Sequence, residues 1–323
     1  MMSPAKRATL ISLGVLLLTQ AGATVAQTPY PSKPVRLVVP YPAGTSPDIV
    51  ARLWGEKFTK ATGQAVVVEN KAGASTIIGT QAVMSAPADG YTLLWTVNNT
   101  FSINPYVFKK LPYSIDDFVP VSQILSVPFV LFVSSDSSIR SLADLIREAK
   151  AKPGKLAYAS GGVGTGLHAA MARMLNMAGA DMLHVPYKES FVTDVIAQRI
   201  DVAFDASTGA IPNLKGGKIR ALAVTSSKRI SQLPDVPSIS EAYPGYTGDS
   251  WHGVFAPKGT PTEVIDLLAK QTQQIVASPD FQAALQSYAL TPVGSSREAF
   301  KKFIADDSQA WAKVIRDNRI AVD

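Results

Sequence analysis

Two glycine-containing segments have the composition of loops that bind an anion through backbone N–H groups. Residues 41–48 read Tyr-Pro-Ala-Gly-Thr-Ser-Pro-Asp, and residues 160–166 read Ser-Gly-Gly-Val-Gly-Thr-Gly. A tight turn from a strand into a helix leaves N–H groups unpaired, and glycine lets a ligand oxygen approach the main chain closely. We therefore expect each segment to hold one end of a small carboxylate, or both segments to share one carboxylate.

The first segment contains the residue types expected where a helix starts. Ser46 suits the N-cap, Pro47 suits the first helical position, and Asp48 falls in the first turn, where the helix dipole favours a carboxylate. Asp48 thus has two interpretations: it only stabilises the helix, or it also shapes a ligand site. The expected ligand-binding residues of this segment are Tyr41, Ala43, Gly44, Thr45, Ser46 and Asp48.

The second segment contributes its glycines and the hydroxyl residues that flank them. Its expected ligand-binding residues are Ser160, Gly161, Gly162, Gly164 and Thr165. His168 belongs to the following helix. Hydrogen bonding near the loop is favoured for His168 over direct contact with a ligand, and both interpretations are kept.

Side chains that follow two other apolar runs are further candidates for the same cleft. Trp95, Asn98 and Asn99 come at the end of one predicted strand, so the indole can pack on a ligand body and the amides can bond its oxygens. A core position is the favoured alternative for Trp95. Tyr187 follows another strand and is placed in the cleft, whereas Lys188 is expected at the solvated rim.

The alternation of short β-branched runs with segments of helical period predicts βαβ units and parallel strands. Residues 35–40 and 66–69 read as strands on either side of a helix over residues 47–62. Residues 156–160 and 202–204 read as strands of the same kind later in the chain. A second sheet is therefore expected.

The amphipathic helices after residue 260 need a sheet to cover, and the first sheet is the one that lacks a cover. The chain is thus expected to leave the first lobe near residues 126–133 and to return near residues 250–257. This predicts an α/β protein with two lobes, each a mixed sheet flanked by helices. The predicted first lobe comprises residues 27–126 and 251–323, and the predicted second lobe comprises residues 127–250.

The N-terminal residues have the composition of a secretory signal peptide. Lys6 and Arg7 precede an apolar run over residues 10–18, and small residues follow as far as Ala26. The run is shorter than the roughly 20 residues that span a bilayer. We expect cleavage after Ala26 and a soluble, periplasmic mature protein.

Composition argues against several other classes of protein. The chain has no cysteine, so neither a disulfide nor a lipid-anchor thiol is expected. Its formal charge of +6 includes two basic residues of the predicted signal peptide, and the remaining Lys and Arg are scattered, unlike those of nucleic-acid binders. His168, His184 and His252 are too dispersed to suggest a metal site. We expect no nucleic acid, metal or cofactor.

Several motifs in a fixed order give the chain a family resemblance. They include Ala-Asp-Gly-Tyr-Thr-Leu-Leu at residues 88–94 and His-Val-Pro-Tyr-Lys at residues 184–188. The others lie at residues 30–40, 67–74, 158–161, 221–226 and 233–237. Together they cover nearly the whole predicted mature chain. In these motifs the chain resembles the Bug-type substrate-binding proteins of tripartite tricarboxylate transporters.

The resemblance implies a two-lobed periplasmic binding protein fold (type II-like) whose cleft closes on a carboxylated ligand. It implies that residues 43–48 and 160–165 are the anion loops and that Asp205 faces the cleft. The implied partners are the large and small permease subunits of a tripartite tricarboxylate-type transporter. The chain departs from the family at two positions where glycine is common: Thr45 adds a hydroxyl to the first loop, and Glu189 adds a carboxylate near the rim of the second lobe.

Three other functions are a hydrolase, a nucleotide-binding enzyme and a binding protein that docks on a membrane sensor. Residues 248–252 read Gly-Asp-Ser-Trp-His, but they lack the closing glycine of a hydrolase nucleophile elbow. Residues 162–166 match neither a dinucleotide-binding motif nor a P-loop. The sequence therefore predicts a monomeric binding protein and not an enzyme. Docking of the loaded protein on a membrane sensor kinase, instead of a permease, stays open.

Overall fold

A computed structural model of the protein describes residues 30–321. The predicted signal peptide, residues 1–26, lies outside these described residues. From Lys33 onward the described chain forms one compact unit.

The described residues form two sheets and the helices that flank them. The strands are β1 (Val35–Val39), β2 (Val66–Asn70), β3 (Thr92–Val97), β4 (Phe118–Val127), β5 (Phe129–Ser134), β6 (Ala157–Ser160), β7 (Leu183–Pro186), β8 (Val202–Ala206), β9 (Ile219–Val224), β10 (Ser250–Pro257) and β11 (Thr291–Pro292). The α-helices are α1 (Ser46–Thr62), α2 (Ile77–Met84), α3 (Asn104–Val107), α4 (Leu142–Ala151), α5 (Gly166–Ala178), α6 (Val192–Ile196), α7 (Ser207–Lys215), α8 (Ile239–Ala242), α9 (Thr262–Ala277), α10 (Pro279–Ser287) and α11 (Arg297–Asp317). Two 3₁₀ turns lie at Ala74–Thr76 and Ile115–Asp117, and a π-helical turn lies at Asn99–Ile103.

The first sheet has the strand order β11-β4-β10-β3-β1-β2. Strand β1 pairs in parallel with β2 and with β3, whereas β10 is antiparallel to β3 and β4. The carboxyl ends of β1, β2 and β3 therefore share one edge. Helices α9 and α11 pack against β4, which confirms that the C-terminal helices cover this sheet.

The second sheet has the strand order β7-β6-β8-β5-β9. Strand β6 is parallel to β7 and β8, and β5 is antiparallel to β8 and β9. The two sheets confirm the predicted fold class, a two-lobed α/β architecture with mixed sheets. The carboxyl ends of β6 and β8 again share one edge.

The chain passes between the sheets at two places. Strand β4 ends at Val127 and β5 begins at Phe129, so Pro128 alone separates a strand of the first sheet from a strand of the second. The return follows β9 and enters the first sheet in β10. Both passages lie where the sequence places the crossovers, while the exact lobe boundaries stay a prediction.

Each sheet has its own apolar core. Trp251 of β10 meets Phe300 of α11 edge to face, with ring centroids 5.3 Å apart, and its Nε1 donates to Asp307 Oδ2 over 2.7 Å. In the second core, Phe132 of β5 packs with Phe191 and Val195. Within residues 30–321, no helix has both the length and the apolar character needed to cross a membrane.

A substitution at Gly253 in β10 can test how tightly the first sheet packs against α11. A Cβ at Gly253 would lie 2.3 Å from Phe300 Cζ, so the buried ring would have to move. We expect Gly253→Ala to lower the free energy of unfolding by about 1–3 kcal/mol, as measured by urea denaturation.

Gly216→Ala is the matched control, because the nearest atom to its added Cβ is 3.4 Å away and its φ is −76°. This variant should match the wild type within about 0.5 kcal/mol. Unchanged stability of Gly253→Ala would contradict the tight packing between the glycine and the phenyl ring.

Candidate functional site

The first loop leads from β1 into α1 and has its N-cap at Thr45. The predicted cap at Ser46 is therefore wrong by one position. The Thr45 hydroxyl donates backward to Pro42 O over 2.6 Å, so it holds the turn and caps no helical N–H group. Ser46 becomes the first helical residue, and its Oγ is buried without a hydrogen-bond partner. Pro47, predicted at the first helical position, is the second helical residue, so that prediction is also wrong by one position.

Asp48 fixes the shape of this loop. Its Oδ2 accepts from the Gly44 N–H group over 2.8 Å, and its Oδ1 accepts from Arg52 Nε and Asn70 Nδ2, each over 2.9 Å. Burial alone would raise the pKa of the Asp48 carboxyl, but these hydrogen bonds and the Arg52 charge outweigh it and lower that pKa. The carboxylate is 3% exposed and is committed to the protein.

Asn70 and Arg52 are supporting residues that the sequence analysis missed. Asn70 Nδ2 also donates to Tyr41 O over 3.0 Å, and its Oδ1 accepts from an Arg52 guanidinium nitrogen over 3.0 Å. Asn70 stands opposite Val39 in the β1–β2 pairing. A polar residue at the end of a strand next to β1 is the signal that would have found it.

The second loop leads from β6 into α5, with Thr165 as the N-cap. Thr165 Oγ1 accepts from His168 N and lies 2.8 Å from Gly162 O, to which it can donate. Gly162 and Gly164 have φ values of 123° and 75°, in the left-handed region that favours glycine. His168 Nδ1 accepts from the Gly164 N–H group over 3.0 Å, so this imidazole supports the loop from behind.

A stack of three rings backs the second loop. The imidazoles of His168 and His184 lie 3.9 Å apart at 10°, and Tyr158 stacks on His184 at 4.9 Å. His184 Nε2 lies 2.7 Å from Ser160 Oγ. Burial lowers the pKa of His168 to about 3 and that of His184 to about 4, so both rings are neutral near pH 7. The β6–β7 pairing of Tyr158 with His184 brings together histidines that look dispersed in the sequence.

Asn99 connects the two lobes. Its Oδ1 accepts from the Gly166 N–H group of α5 over 2.8 Å, and its Nδ2 donates to Gly164 O over 3.3 Å. Val107 of the first lobe packs so closely on Gly164 that an added Cβ would lie 2.5 Å away. The second loop thus touches the first lobe, and the predicted bond from Asn99 to a ligand stays a prediction.

Asn98, the residue before Asn99, follows β3. The β1–β3 register pairs Val38 with Leu94, so the first loop leaves β1 at the same edge of the sheet at which β3 ends. Asn98 Oδ1 accepts from Ser250 Oγ over 2.8 Å, and its buried Nδ2 has no partner. The Ser250 hydroxyl of the rival hydrolase motif is therefore committed to Asn98.

The residues before α2 are held in an unfavourable backbone conformation beside Asn99. Ala74, Ser75 and Thr76 have φ values of 44°, 49° and 80°. A residue with a side chain pays about 1–2 kcal/mol of conformational free energy in this left-handed region, whereas glycine does not. Asn104 Nδ2 donates to Ser75 O over 2.6 Å, and Ser75 Oγ lies 3.5 Å from Asn99 Nδ2. This strained segment therefore lies against the side chain that joins the lobes.

The remaining candidates lie in different environments. Trp95 is fully buried between Trp54 and His252, with ring centroids 6.0 Å away in each case, so it occupies the core position that the sequence favours. Tyr187 donates its hydroxyl to Asp194 Oδ2 over 2.7 Å and is tied to α6. Ala43 is exposed on the first loop. Their contact with a ligand stays a prediction.

Asp205 is the second-last residue of β8. Because β8 is parallel to β6, Asp205 lies toward the edge of the second sheet from which the second loop leaves. Its neighbour Ser207, which the sequence analysis missed, has a buried Oγ without a partner. Unpartnered buried groups are rare in native proteins, and those of Ser46, Asn98 and Ser207 are available to a ligand or to water.

Comparison with known proteins gives a family model that matches residues 50–320, described as the tripartite tricarboxylate transporter family receptor. A protein encoded in the tcbD-tcbE intergenic region of Pseudomonas sp. strain P51 is 38% identical over 95% of this chain and 93% of its own length. BugT of Bordetella pertussis is 33% identical over 94% of this chain and 95% of its own length.

Three solved structures are similar over most of the chain. The periplasmic binding protein BugD has 32% identity and a TM-score of 0.84, over 91% of this chain and 100% of its own. Rpa4515 of R. palustris with adipate has 32% identity and a TM-score of 0.87, over the same shares. MatC of Rhodopseudomonas palustris with bound malate has 26% identity and a TM-score of 0.81, over 88% and 100%.

The role of Asn99 in joining the lobes can be tested without a ligand. Asn99→Ala removes both bonds to the second loop and leaves the Gly166 N–H and Gly164 C=O groups without a protein partner. We expect the ligand-free variant to open, with a larger radius of gyration in small-angle X-ray scattering.

Asn318→Ala serves as control, because it removes one side-chain hydrogen bond at the C-terminal end of α11, from Asn318 Nδ2 to Val314 O over 2.8 Å. Its scattering should equal that of the wild type. If Asn99→Ala also scatters like the wild type, Asn99 does not hold the lobes together.

Proposed function

Since the chain belongs to the tripartite tricarboxylate transporter receptor family, we propose that it is a periplasmic solute-binding protein that holds a small carboxylate between its lobes. A permease of the tripartite type is the proposed recipient. The relatives with adipate and with malate support a carboxylate as the ligand class.

The observation that carries the proposal is that, in each sheet, a glycine loop leads from a strand directly into a helix N-terminus. Helices α1 and α5 begin at Ser46 and Gly166, directly after the two loops. Among the described residues, the backbone N–H groups of Ser46, Gly161 and Val163 have no protein acceptor. Unpaired N–H groups and the positive end of the helix dipole favour an anion at this place.

The supports of the loops suit reversible binding. Asp48 and His168 each accept a glycine N–H group, so they fix the main chain and leave the remaining N–H groups to the ligand. Helix ends contribute about 0.3–1 kcal/mol each at exposed sites, whereas micromolar affinity needs about 8 kcal/mol. Direct hydrogen bonds and packing of the ligand body must supply most of the affinity.

The proposed site residues are those of the two loops together with Asn98, Ser207 and Asp205. Closure on the ligand follows from differential binding, because a ligand held by one lobe gains further hydrogen bonds when the second lobe reaches it. Within the described residues no group of three or more acidic, histidine or cysteine side chains is arranged to hold a metal ion. In this proposal the ligand is held by hydrogen bonds from main-chain and side-chain groups.

A ligand panel tests the function directly. Residues 27–323 are screened by thermal shift against adipate, malate, aromatic acids, amino acids and the corresponding amides. A ligand at one hundred times its Kd stabilises the protein by about 2.7 kcal/mol. Acids should raise the melting temperature and their amides should not. A response to neutral compounds alone would contradict the carboxylate site.

A substitution at Gly161 can test whether the second loop binds the anion. A Cβ at this position meets no atom within 4 Å, so a substitution adds a side chain without a clash. Gly161→Asp places a negative charge beside the proposed anion. Like charges about 6 Å apart at an effective dielectric constant of about 20 repel by about 3 kcal/mol.

We expect Gly161→Asp to lose at least about tenfold in affinity for the carboxylate found in the panel, measured by isothermal titration calorimetry. Gly161→Asn has the same shape without the charge and should bind within a few-fold of the wild type. Equal affinities of the two variants would place the anion elsewhere.

A further inference from the structure

The Asp205 carboxyl has no compensating charge. Its Oδ1 accepts from the N–H group of its own neighbour, Ala206, over 2.8 Å. Its Oδ2 lies against the first turn of α7, where a Cβ on Gly209 would be 2.2 Å away. Among the described residues no lysine, arginine or histidine forms an ion pair with it. A carboxylate here would have one backbone N–H group for support.

The strand pairings place Asp205 at the edge of the second sheet from which the second loop leaves. Strand β8 lies between β6 and β5, and Asp205 pairs with Val130 of β5. Strands β8 and β6 are parallel, with Ala203 opposite Ala159, so their carboxyl ends share this edge. Neighbouring strands are about 4.8 Å apart. Asp205, near the end of β8, therefore lies at the same edge as Gly161, the residue that follows β6.

A bound carboxylate and an ionised Asp205 are incompatible neighbours. Two negative charges about 6 Å apart repel by about 3 kcal/mol at an effective dielectric constant of about 20. A protonated Asp205 removes this repulsion and presents an O–H donor to the anion or to a bridging water. The proton is available from the solvent, because the side chain is partly accessible.

We propose that Asp205 is protonated in the carboxylate complex, so that capture of each anion takes up a proton from solution. The inference rests on the proposed function and adds to it a dependence of ligand binding on pH. Asp205 then acts as a hydrogen-bond donor and as the group that makes binding depend on pH. A neutral Asp205 explains how an anion can be held with an acidic residue at the same edge of the sheet as the second loop.

The protonation state of the free protein agrees with this assignment. Burial raises the pKa of Asp205 to about 7, while the hydrogen bond from Ala206 acts against the shift. The proton is therefore held at little cost near neutral pH. A nearby anion raises the pKa of a carboxyl further. Binding and protonation are linked, and each favours the other.

The other titratable groups at this end of the second sheet are His168, His184 and Asp249, together with Tyr187, Lys188 and Glu189 after β7 and Asp194 of α6. The hydrogen bond from the Tyr187 hydroxyl lowers the pKa of Asp194 and raises that of Tyr187. The two imidazoles behind the second loop are neutral above pH 5, since burial holds their pKa values at about 3 and about 4. Asp249 accepts from Thr225 Oγ1 over 2.6 Å, and burial raises its pKa to about 6. Strand β5 and the first turn of α7 present apolar, glycine and hydroxyl residues to Asp205. Above pH 7.5, Asp205 is the group whose charge changes on binding.

The experiment measures the proton count of binding with adipate as the probe. Isothermal titration calorimetry of residues 27–323 is carried out at pH 6.5 and pH 8.5, each in two buffers with different enthalpies of ionisation. With a free pKa of about 7, the wild type should take up about one proton per adipate at pH 8.5 and about a quarter of a proton at pH 6.5. Its affinity should fall as the pH rises, by up to about tenfold per unit.

Asp205→Asn keeps the size of the side chain and removes the titration. It should bind adipate with the same affinity at both pH values and take up no proton at pH 8.5. Asp249→Asn is the matched control, another partly buried acid with a raised pKa, and it should keep the wild-type proton uptake. Without ligand, Asp205→Asn should melt at a higher temperature than the wild type at pH 8.5, and the difference should be smaller, by about half, at pH 5.5.

This difference in melting follows from the sign of the linkage. The folded pKa lies above the value of about 3.9 in the unfolded chain, so the folded protein binds more protons between these values and loses stability as the pH rises toward 7. A neutral asparagine avoids the loss. Equal melting of the two proteins at pH 8.5 would show that Asp205 carries no cost when ionised, and would overturn the proposal.

The outcomes separate this inference from the function on which it rests. Adipate binding without proton uptake at pH 8.5 overturns the role of Asp205 and leaves the carboxylate-binding function standing. Binding of an amino acid without proton uptake, with affinity lost in Asp205→Asn at both pH values, would make Asp205 the partner of an ammonium group instead, which also overturns it. If no acid of the panel binds, the proposed function is wrong and the inference falls with it.

Discussion

The side-chain amide of Asn99 is the interaction on which the arrangement of the cleft depends. It accepts from the first N–H group of α5 and donates to a carbonyl of the loop before that helix, so one group of the first lobe fixes both ends of the turn in the second. The helix N-terminus that faces the first lobe is thereby partly occupied by the protein itself. The N–H groups left over define where an anion can be received.

The two loops share one construction with different chemistry. In each, a glycine N–H group donates to a side chain four residues later, at Asp48 in the first loop and at His168 in the second. The carboxylate of Asp48 is balanced by Arg52, whereas His168 is a neutral ring stacked on another neutral ring. Each loop is thus rigid with little net charge of its own.

The sequence predicted those features that depend on local pattern. Strand and helix alternation located both sheets, both passages between them and the two glycine loops, because hydrophobic period and turn chemistry act over a few residues. The partner of Asn99 and the stack behind Ser160 depend on residues brought together from distant segments. The cap at Thr45 is a local feature, which the sequence analysis placed one residue too late. His184 shows what a local pattern cannot predict. It lies sixteen positions after His168 in the sequence, and only the pairing of β6 with β7 makes their rings neighbours.

The single proline between β4 and β5 has a thermodynamic consequence for closure of the cleft. Strands of the two sheets follow each other with one residue between them, so neither lobe can diffuse far from the other. The groups of one lobe are then present at the other at a high effective concentration, as in any short linkage. Little translational entropy is lost when the lobes meet. A few hydrogen bonds across the cleft can therefore decide between the open and closed forms.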